Sequence, residues 1–478
     1  KQTRRTRLTM ATAPAREFAS LEVKARNGKT VYHTFPFTES SPSFSEKRPG
    51  MSTAEVAGVC INTMFGPGLL AIPKAFNDGG FFMTSGLLII MAITTYFTSK
   101  LLAETINSAQ RIRPPDAPKK VLEYADLANI YFSPPVAKFW LTVLCMCIMA
   151  LAIAQMTVVA QALDGFAVFA LGETYAVQYH PYPPEVISTS KTGLTPFGPN
   201  RPIISIGFLF AMIICMLLGL LDLSSNMIPQ YVAFVLFLGG VVEFLRHFAF
   251  DEYYPAHNKH MDTSFQPFGP DPALILGVVV FNFAIVITLP SLHDEAASKV
   301  SSGNSVGIAC IFMAIVYIST GILGSLAYPE AEADFFQYLV SESVPITSRL
   351  SVYSFVGGLM LSVPVYSILT VRNLMQVSNS VIVSKGVGTI LPWLVAMFLY
   401  TSKSFGSFLN WTSLLVMGFA NYTFPLTLSA VAMIKHRRLG SIREVWMDYD
   451  AITAILMNVV VTSIIILTIF VNVQLALF

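Results

Sequence analysis

Eleven long, mostly apolar runs dominate the chain, at approximately 54–76, 83–106, 137–170, 203–222, 228–249, 272–291, 305–327, 348–371, 387–401, 407–434 and 450–474. Most approach the roughly 20 residues that an α-helix needs to cross a bilayer. Charged residues make up only 12% of the 478, about half the share of a soluble domain. That leaves too little polar surface to cover a soluble globule. An ordinary soluble enzyme and a disordered chain are both excluded. A net charge of +2 carries no electrostatic footprint for nucleic acid, so none is expected as a partner. The expected partner is the lipid bilayer, and the expected fold is all-α and polytopic, with about eleven spans.

The runs are numbered here as spans one to eleven. Span three is too long for one straight crossing, and Asp164-Gly165 is the expected place for it to break. Span nine is short and contains Pro392. With the N-terminus on the cytoplasmic side, the inner segments hold 21 of the 30 Lys and Arg residues and the outer segments 5. Such a bias fits a cytoplasmic N-terminus and a C-terminus outside or in a lumen. Residues 1–51 read as a disordered cytoplasmic tail, and 52–478 as one membrane domain. The loops 171–202 and 328–344 read as solvated surfaces. All five cysteines lie inside apolar runs, where they act as small hydrophobes. No cofactor and no metal site is expected.

Backbone breaks inside a span are tolerated only where protein or a water-filled cavity surrounds them. Span one carries Gly66-Pro67-Gly68 near its middle. Proline removes a donor and clashes with the preceding turn, and the flanking glycines weaken the helix further. The half-helix that follows presents free amides, with Gly66, Gly68 and Leu69 as the expected donors to a carboxylate. Span six carries Asn282 in apolar surroundings and Pro290 near its end. Loose carbonyls at Phe281, Asn282 and Phe283 are the expected acceptors for an ammonium group. Breaks five spans apart mark a transporter site between two inverted halves. The halves would be about 54–249 and 272–434, with an extra helix at about 450–474.

The run from Asn62 to Phe76 contains Asn62, Gly66, Gly68, Leu70, Pro73, Ala75 and Phe76, followed by Gly79-Gly80. It resembles the first-helix signature of the amino acid/auxin permease family. Leu289-Pro290-Ser291-Leu292 resembles its vesicular and vacuolar branch. Leu361-Ser362-Val363-Pro364-Val365 is similar to that branch and to the sodium-coupled neutral amino-acid branch. The resemblance implies a leucine-transporter-like 5+5 inverted repeat with helices one and six broken, and secondary active transport of amino acids. It further implies that Asn62, Thr63, Gly66, Gly68 and Leu69 line a substrate site with Phe281, Asn282 and Phe283. Asn62 and Ser362 would flank a coupling cation.

Proton coupling would need a titratable carboxyl group in the interior. Asp164 is the expected carrier, with Glu243 explained by a local pair with Arg246. Sodium would instead need oxygen ligands from span one and Ser362. His293-Asp294-Glu295 can pair with Arg372 as an inner gate. Phenylalanines at 65, 281 and 283, with no fixed acid beside them, suit a small or neutral side chain. Two readings stay open: a transporter coupled to protons or sodium, and a sensor that binds an amino acid without moving it. The membrane itself, plasma, vacuolar or vesicular, is also open.

Overall fold

A computed structural model describes residues 18–24, 30–36, 50–112, 122–180, 182–198, 201–221, 223–253, 266–270, 275–329, 335–376, 378, 380–401, 408, 411–438 and 451–477. Among the described residues, nine helices are long and apolar enough to cross a membrane. A tenth crossing is the pair Thr53–Met64 and Pro67–Gly79, bent by 52°. The helix Ile206–Gly219 lies where span four is expected, but its 14 residues fall short of a full crossing. Thus the eleven expected spans comprise nine full helices, one bent pair and one short apolar helix.

Burial separates the centre from the rim. The most apolar stretches of span three (Pro134–Leu171) and span six (Ile275–Glu295) are 83% and 94% buried, while that of span eleven (Ala451–Gln474) is 11% buried. Spans three and six are therefore the axis of the bundle, and span eleven faces outward along nearly its whole length. Span eight (Ile346–Met375) packs on spans three and five, and span seven (Ser302–Ala327) packs on spans one and two. Glycine permits close approach at the last of these contacts. A Cβ at Gly321 would lie 2.3 Å from the Phe76 ring of span one, which is how small residues serve helix packing in membranes.

Three expectations need correction. Span three does not break at Asp164-Gly165; it is one helix of 38 residues. Gly165 stays helical and instead admits a loop, since a Cβ there would sit 2.6 Å from the Gly193 carbonyl. The loop 171–202 and the first residues of span four form a three-stranded antiparallel sheet, with Thr174–Gln178 between Glu185–Thr189 and Ile203–Ser205. Its Thr174, Leu194, Phe197 and Ile203 are buried, so it caps one end of the bundle. In the loop 328–344 the turn and short helix at Phe335–Leu339 bury Phe335, Phe336 and Leu339; its Glu330, Glu332 and Asp334 lie outside the described residues. In the tail, Phe18–Lys24 pairs with Thr30–Pro36 as an antiparallel ribbon, and residues 1–17, 25–29 and 37–49 lie outside the described residues.

The segment before span one is tied to the end of span six, through Met51 N to the Glu295 carbonyl at 2.8 Å and Ala297 N to the Met51 carbonyl at 2.9 Å. The two broken helices are thus coupled at the end opposite the sheet.

Candidate functional site

Span one stops being helical at Phe65. Gly66 is extended (φ −121°, ψ 178°), and a 3₁₀ turn, Pro67–Ala71, leads into Ile72–Gly79. Proline is tolerated here because the first turn of a helix has no use for its missing amide. Leu69 N bonds the Gly66 carbonyl at 3.1 Å, so Leu69 closes the turn and is not a free donor as expected. Among the described residues, the amides of Gly66 and Gly68 have no backbone acceptor.

Span six breaks after Asn282, through a turn and a 3₁₀ segment, Val286–Thr288, before Leu289–Glu295. The break precedes Pro290, which sits in the first turn of the second half-helix. The sequence at the break meets that of span one directly. A Cβ at Gly68 would lie 2.7 Å from Asn282 Oδ1 and 2.8 Å from the Phe281 ring, and a Cβ at Gly66 would lie 3.8 Å from the same ring. Gly66, Gly68, Phe281 and Asn282 therefore lie together, and these residues and Phe283 are all buried.

The carbonyls of the break are not loose. Phe281 O accepts from Ala284 N at 3.3 Å, and Phe283 O from Ile285 N at 2.8 Å. Asn282 O lies 3.1 Å from the Tyr317 hydroxyl, which also reaches Met64 O at 2.5 Å. One side chain of span seven thus holds both breaks. Tyr366 donates to Thr63 O at 3.1 Å, and Tyr124 to Val286 O at 3.0 Å. Asn421 Oδ1 accepts from Ile287 N at 3.3 Å. None of these tyrosines stands out in the sequence, because a lone Tyr in an apolar run reads as packing.

The acceptors left unpaired are side-chain amides. Asn62, Gln155 and Asn282 each keep one oxygen with no hydrogen-bond partner, and all three residues are at most 2% exposed. Gln155 was not expected. It comes from span three and lies against Gly66, with Nε2 3.8 Å from the Cβ position. The available signal is its amide in the run Ala154-Gln155-Met156 of an otherwise apolar span.

The expected cation site is differently built. Asn62 Nδ2 donates to Gln230 O at 2.6 Å and to Gln230 Oε1 at 3.2 Å. Gln230 Nε2 in turn donates to the Leu361 carbonyl at 3.0 Å. A span-five amide therefore bridges spans one and eight. Thr63 and Ser362 hydroxyls donate to carbonyls of their own helices, Val59 and Gly358.

Asp164 is fully buried but lies in a separate cluster. It accepts from Thr174 Oγ1 at 2.9 Å, Gly207 N at 3.0 Å, and the hydroxyls of Ser205 and Tyr400. The carboxyl expected to carry a proton joins the sheet, span four and span nine to span three. Glu243 pairs with Arg246 at 2.8 Å, as expected.

Each end of the site is closed. At the sheet end, Phe65, Phe237, Phe355 and Phe336 form a continuous aromatic stack, with centroids 4.8 Å, 5.0 Å and 5.4 Å apart in turn. At the other end, Arg372 Nη2 lies 3.2 Å from Glu295, and Nη1 3.8 Å from Glu123. Glu123, in the segment between spans two and three, is 2% exposed and accepts from Ser291 Oγ with both oxygens, at 2.6 Å and 2.8 Å. His293 does not join this pair; it bonds Ser302 and Asn107.

The sequence profile of the family described as "Transmembrane amino acid transporter protein" matches residues 49–470. No curated protein sequence matches the chain significantly. Among solved structures, the inward-facing conformation of Mhp1 is similar, at a TM-score of 0.55 and 12% identity, covering 84% of this chain and 82% of that one. A closed conformation with bromovinylhydantoin bound, described as a nucleobase-cation-symport-1 family transporter, matches at a TM-score of 0.57 with the same identity and coverage. The likeness is one of fold, the leucine-transporter-like arrangement.

Replacing Asp164 with Ala removes the acceptor of four donors in a dry cluster. Leaving buried donors unpaired costs about 1–3 kcal/mol each before relaxation, so the variant should melt several degrees lower in detergent. At temperatures where it stays folded, its affinity for a transported substrate should match that of the wild type.

Proposed function

The chain belongs to the transmembrane amino acid transporter family, and from that premise we propose that it moves neutral α-amino acids by alternating access, driven by protons. The observation that carries this reading is the meeting of two broken helices at one buried point, with Gly68 against Asn282. Free amides at Gly66 and Gly68 suit a carboxylate, because such N–H groups are aligned and unable to pair within the helix. Phe281 and Phe65 beside them suit an uncharged side chain. The side chains that bond the two breaks, Tyr317, Tyr366, Tyr124 and Asn421, are all neutral, which suits an uncharged substrate side chain.

Alternating access requires that the two ends open in turn. The aromatic stack at the sheet end serves as the outer closure in this reading. The cluster of Arg372, Glu295, Glu123 and Ser291 serves as the inner one, on the cytoplasmic side that the Lys and Arg bias assigns to it. Ser291 and Glu295 both belong to the lower half of broken span six. Moving that half-helix inward would separate Ser291 from Glu123 and open the site below.

Protons are favoured over sodium for a chemical reason. Sodium takes oxygen ligands, and the Leu361 carbonyl at the expected site already accepts from the Gln230 amide. A donor nitrogen between spans one and eight does in part what a cation would do there.

Proteoliposome uptake of a labelled amino-acid panel tests the reading, with sodium and proton gradients imposed separately. A proton gradient should drive accumulation of at least one neutral amino acid, and a sodium gradient should not. Gly68→Val should abolish it, because even a Cβ meets Asn282 and Phe281 below 3 Å. Uptake that follows only the sodium gradient contradicts the proton reading.

The inner closure has a pH dependence with a definite sign. Burial pushes the Glu123 carboxyl up to about 7, opposed by Arg372 and the Ser291 hydroxyl and reinforced by Asp126 and Asp294. Above that pH Glu123 is charged and holds Arg372; below it the carboxyl is neutral and Arg372 is left with Glu295. Exchange of amino acid across the membrane should therefore speed up several-fold as internal pH falls from 8 to 6. Glu123→Gln should exchange rapidly at both values.

A further inference from the structure

An ammonium group carries three donors and no acceptor. In a buried site it bonds best to oxygens with no partner yet, since a carbonyl that already accepts one bond has a single lone pair left. The carbonyls of the span-six break are engaged by Ala284, Ile285 and Tyr317. What remains near the breaks is amide oxygen. Nearly all buried polar side-chain atoms in native proteins are paired, and each exception calls for an explanation.

We propose that Gln155 is a substrate-selecting residue of this transporter: its amide oxygen, together with that of Asn282, receives the ammonium group of an α-amino acid. The proposal rests on the transport reading above and deepens it. Asn282 Nδ2 donates to the Val278 carbonyl at 2.9 Å. That bond fixes which way the amide is turned, so Oδ1 is the atom that faces Gly68. Gln155 stands on the other side of the break, against Gly66, and its side chain also meets the Tyr366 hydroxyl. Both residues are buried, at 1% and 2% exposure, and both oxygens lack a partner.

The spacing defines the ligand class. The oxygen of Asn282 and the amide of Gly68 belong to touching residues. An α-amino acid bears its ammonium and carboxylate on one carbon, so both charges fit side by side. An ω-amino acid holds them apart and cannot satisfy both at once. The acceptors are also neutral. They pair with an ammonium through charge-assisted bonds without adding net negative charge to the site. A zwitterion is accepted as a neutral whole, and a simple amine leaves the Gly66 and Gly68 amides unanswered.

The test uses the full chain in proteoliposomes, with labelled L-alanine and L-leucine as probes. Propionate and 4-methylpentanoate serve as competitors that lack the ammonium group. Gln155→Met, of similar length and without an acceptor oxygen, should weaken half-saturation for the amino acids by ~10-fold or more, the effect of leaving a charged donor short of one partner. Inhibition by the two carboxylic acids should stay within about twofold, since they never used that oxygen. Gln155→Glu keeps the oxygens and adds a charge. It should let ethylamine and 3-methylbutylamine, which lack the carboxylate, inhibit at concentrations where the wild type ignores them. This gain does not depend on the Met variant folding. Equal weakening of amino acids and carboxylic acids in Gln155→Met, or unchanged amine inhibition in Gln155→Glu, overturns the role of Gln155. A wild-type protein that takes up none of the neutral amino acids in the panel under any gradient overturns the transport reading itself.

Discussion

Two helices are interrupted in the interior of this bundle, and each interruption leaves carbonyls and amides outside the regular helical ladder. An unpaired backbone group in such surroundings costs several kcal/mol. Much of the polar chemistry in the bundle answers that cost. Tyr317 reaches one carbonyl on each broken helix, Tyr366 holds span one at Thr63, and Tyr124 and Asn421 hold span six at Val286 and Ile287. These five bonds come from spans seven, eight and ten and from the helix between spans two and three. The breaks are therefore held by their whole surroundings. What those neighbours leave unpaired is the short set of atoms that a ligand can use.

That division explains what the sequence makes legible. The spans are visible because each is an apolar run of the right length. The span-one break is visible because Gly66-Pro67-Gly68 cannot continue a helix. In span six the visible proline misleads: Pro290 fits the first turn of the second half-helix, and the helix fails earlier, at Phe283. There the cause is tertiary, since Tyr317 and Tyr422 draw the carbonyls of Asn282 and Phe283 out of the helical ladder. No local pattern records such a contact.

The same limit applies to charge. Asp164 and Glu123 are both buried carboxyl groups, and the sequence singles out Asp164 because it interrupts an apolar run. Yet Asp164 is bonded by four donors that tie it to the sheet, span four and span nine. Glu123 lies in a polar segment between spans and looks solvated in sequence. Folding places it under Ser291 and beside Arg372, at the point where the lower half of span six must move. Gln155 is illegible for a related reason: a glutamine in span three looks like one more interhelical bond, and only its place against Gly66 together with an unpaired oxygen sets it apart.

A density map of the protein with a transported neutral amino acid bound tests the central claim most directly, because the claim concerns where one small zwitterion sits. The account predicts the carboxylate at the amides of Gly66 and Gly68, and the ammonium between the amide oxygens of Asn282 and Gln155, with Tyr317 still bridging the two breaks. Density for the ligand away from the breaks, or with its ammonium on the carbonyls of Phe281 to Phe283 and Gln155 turned aside, would contradict it.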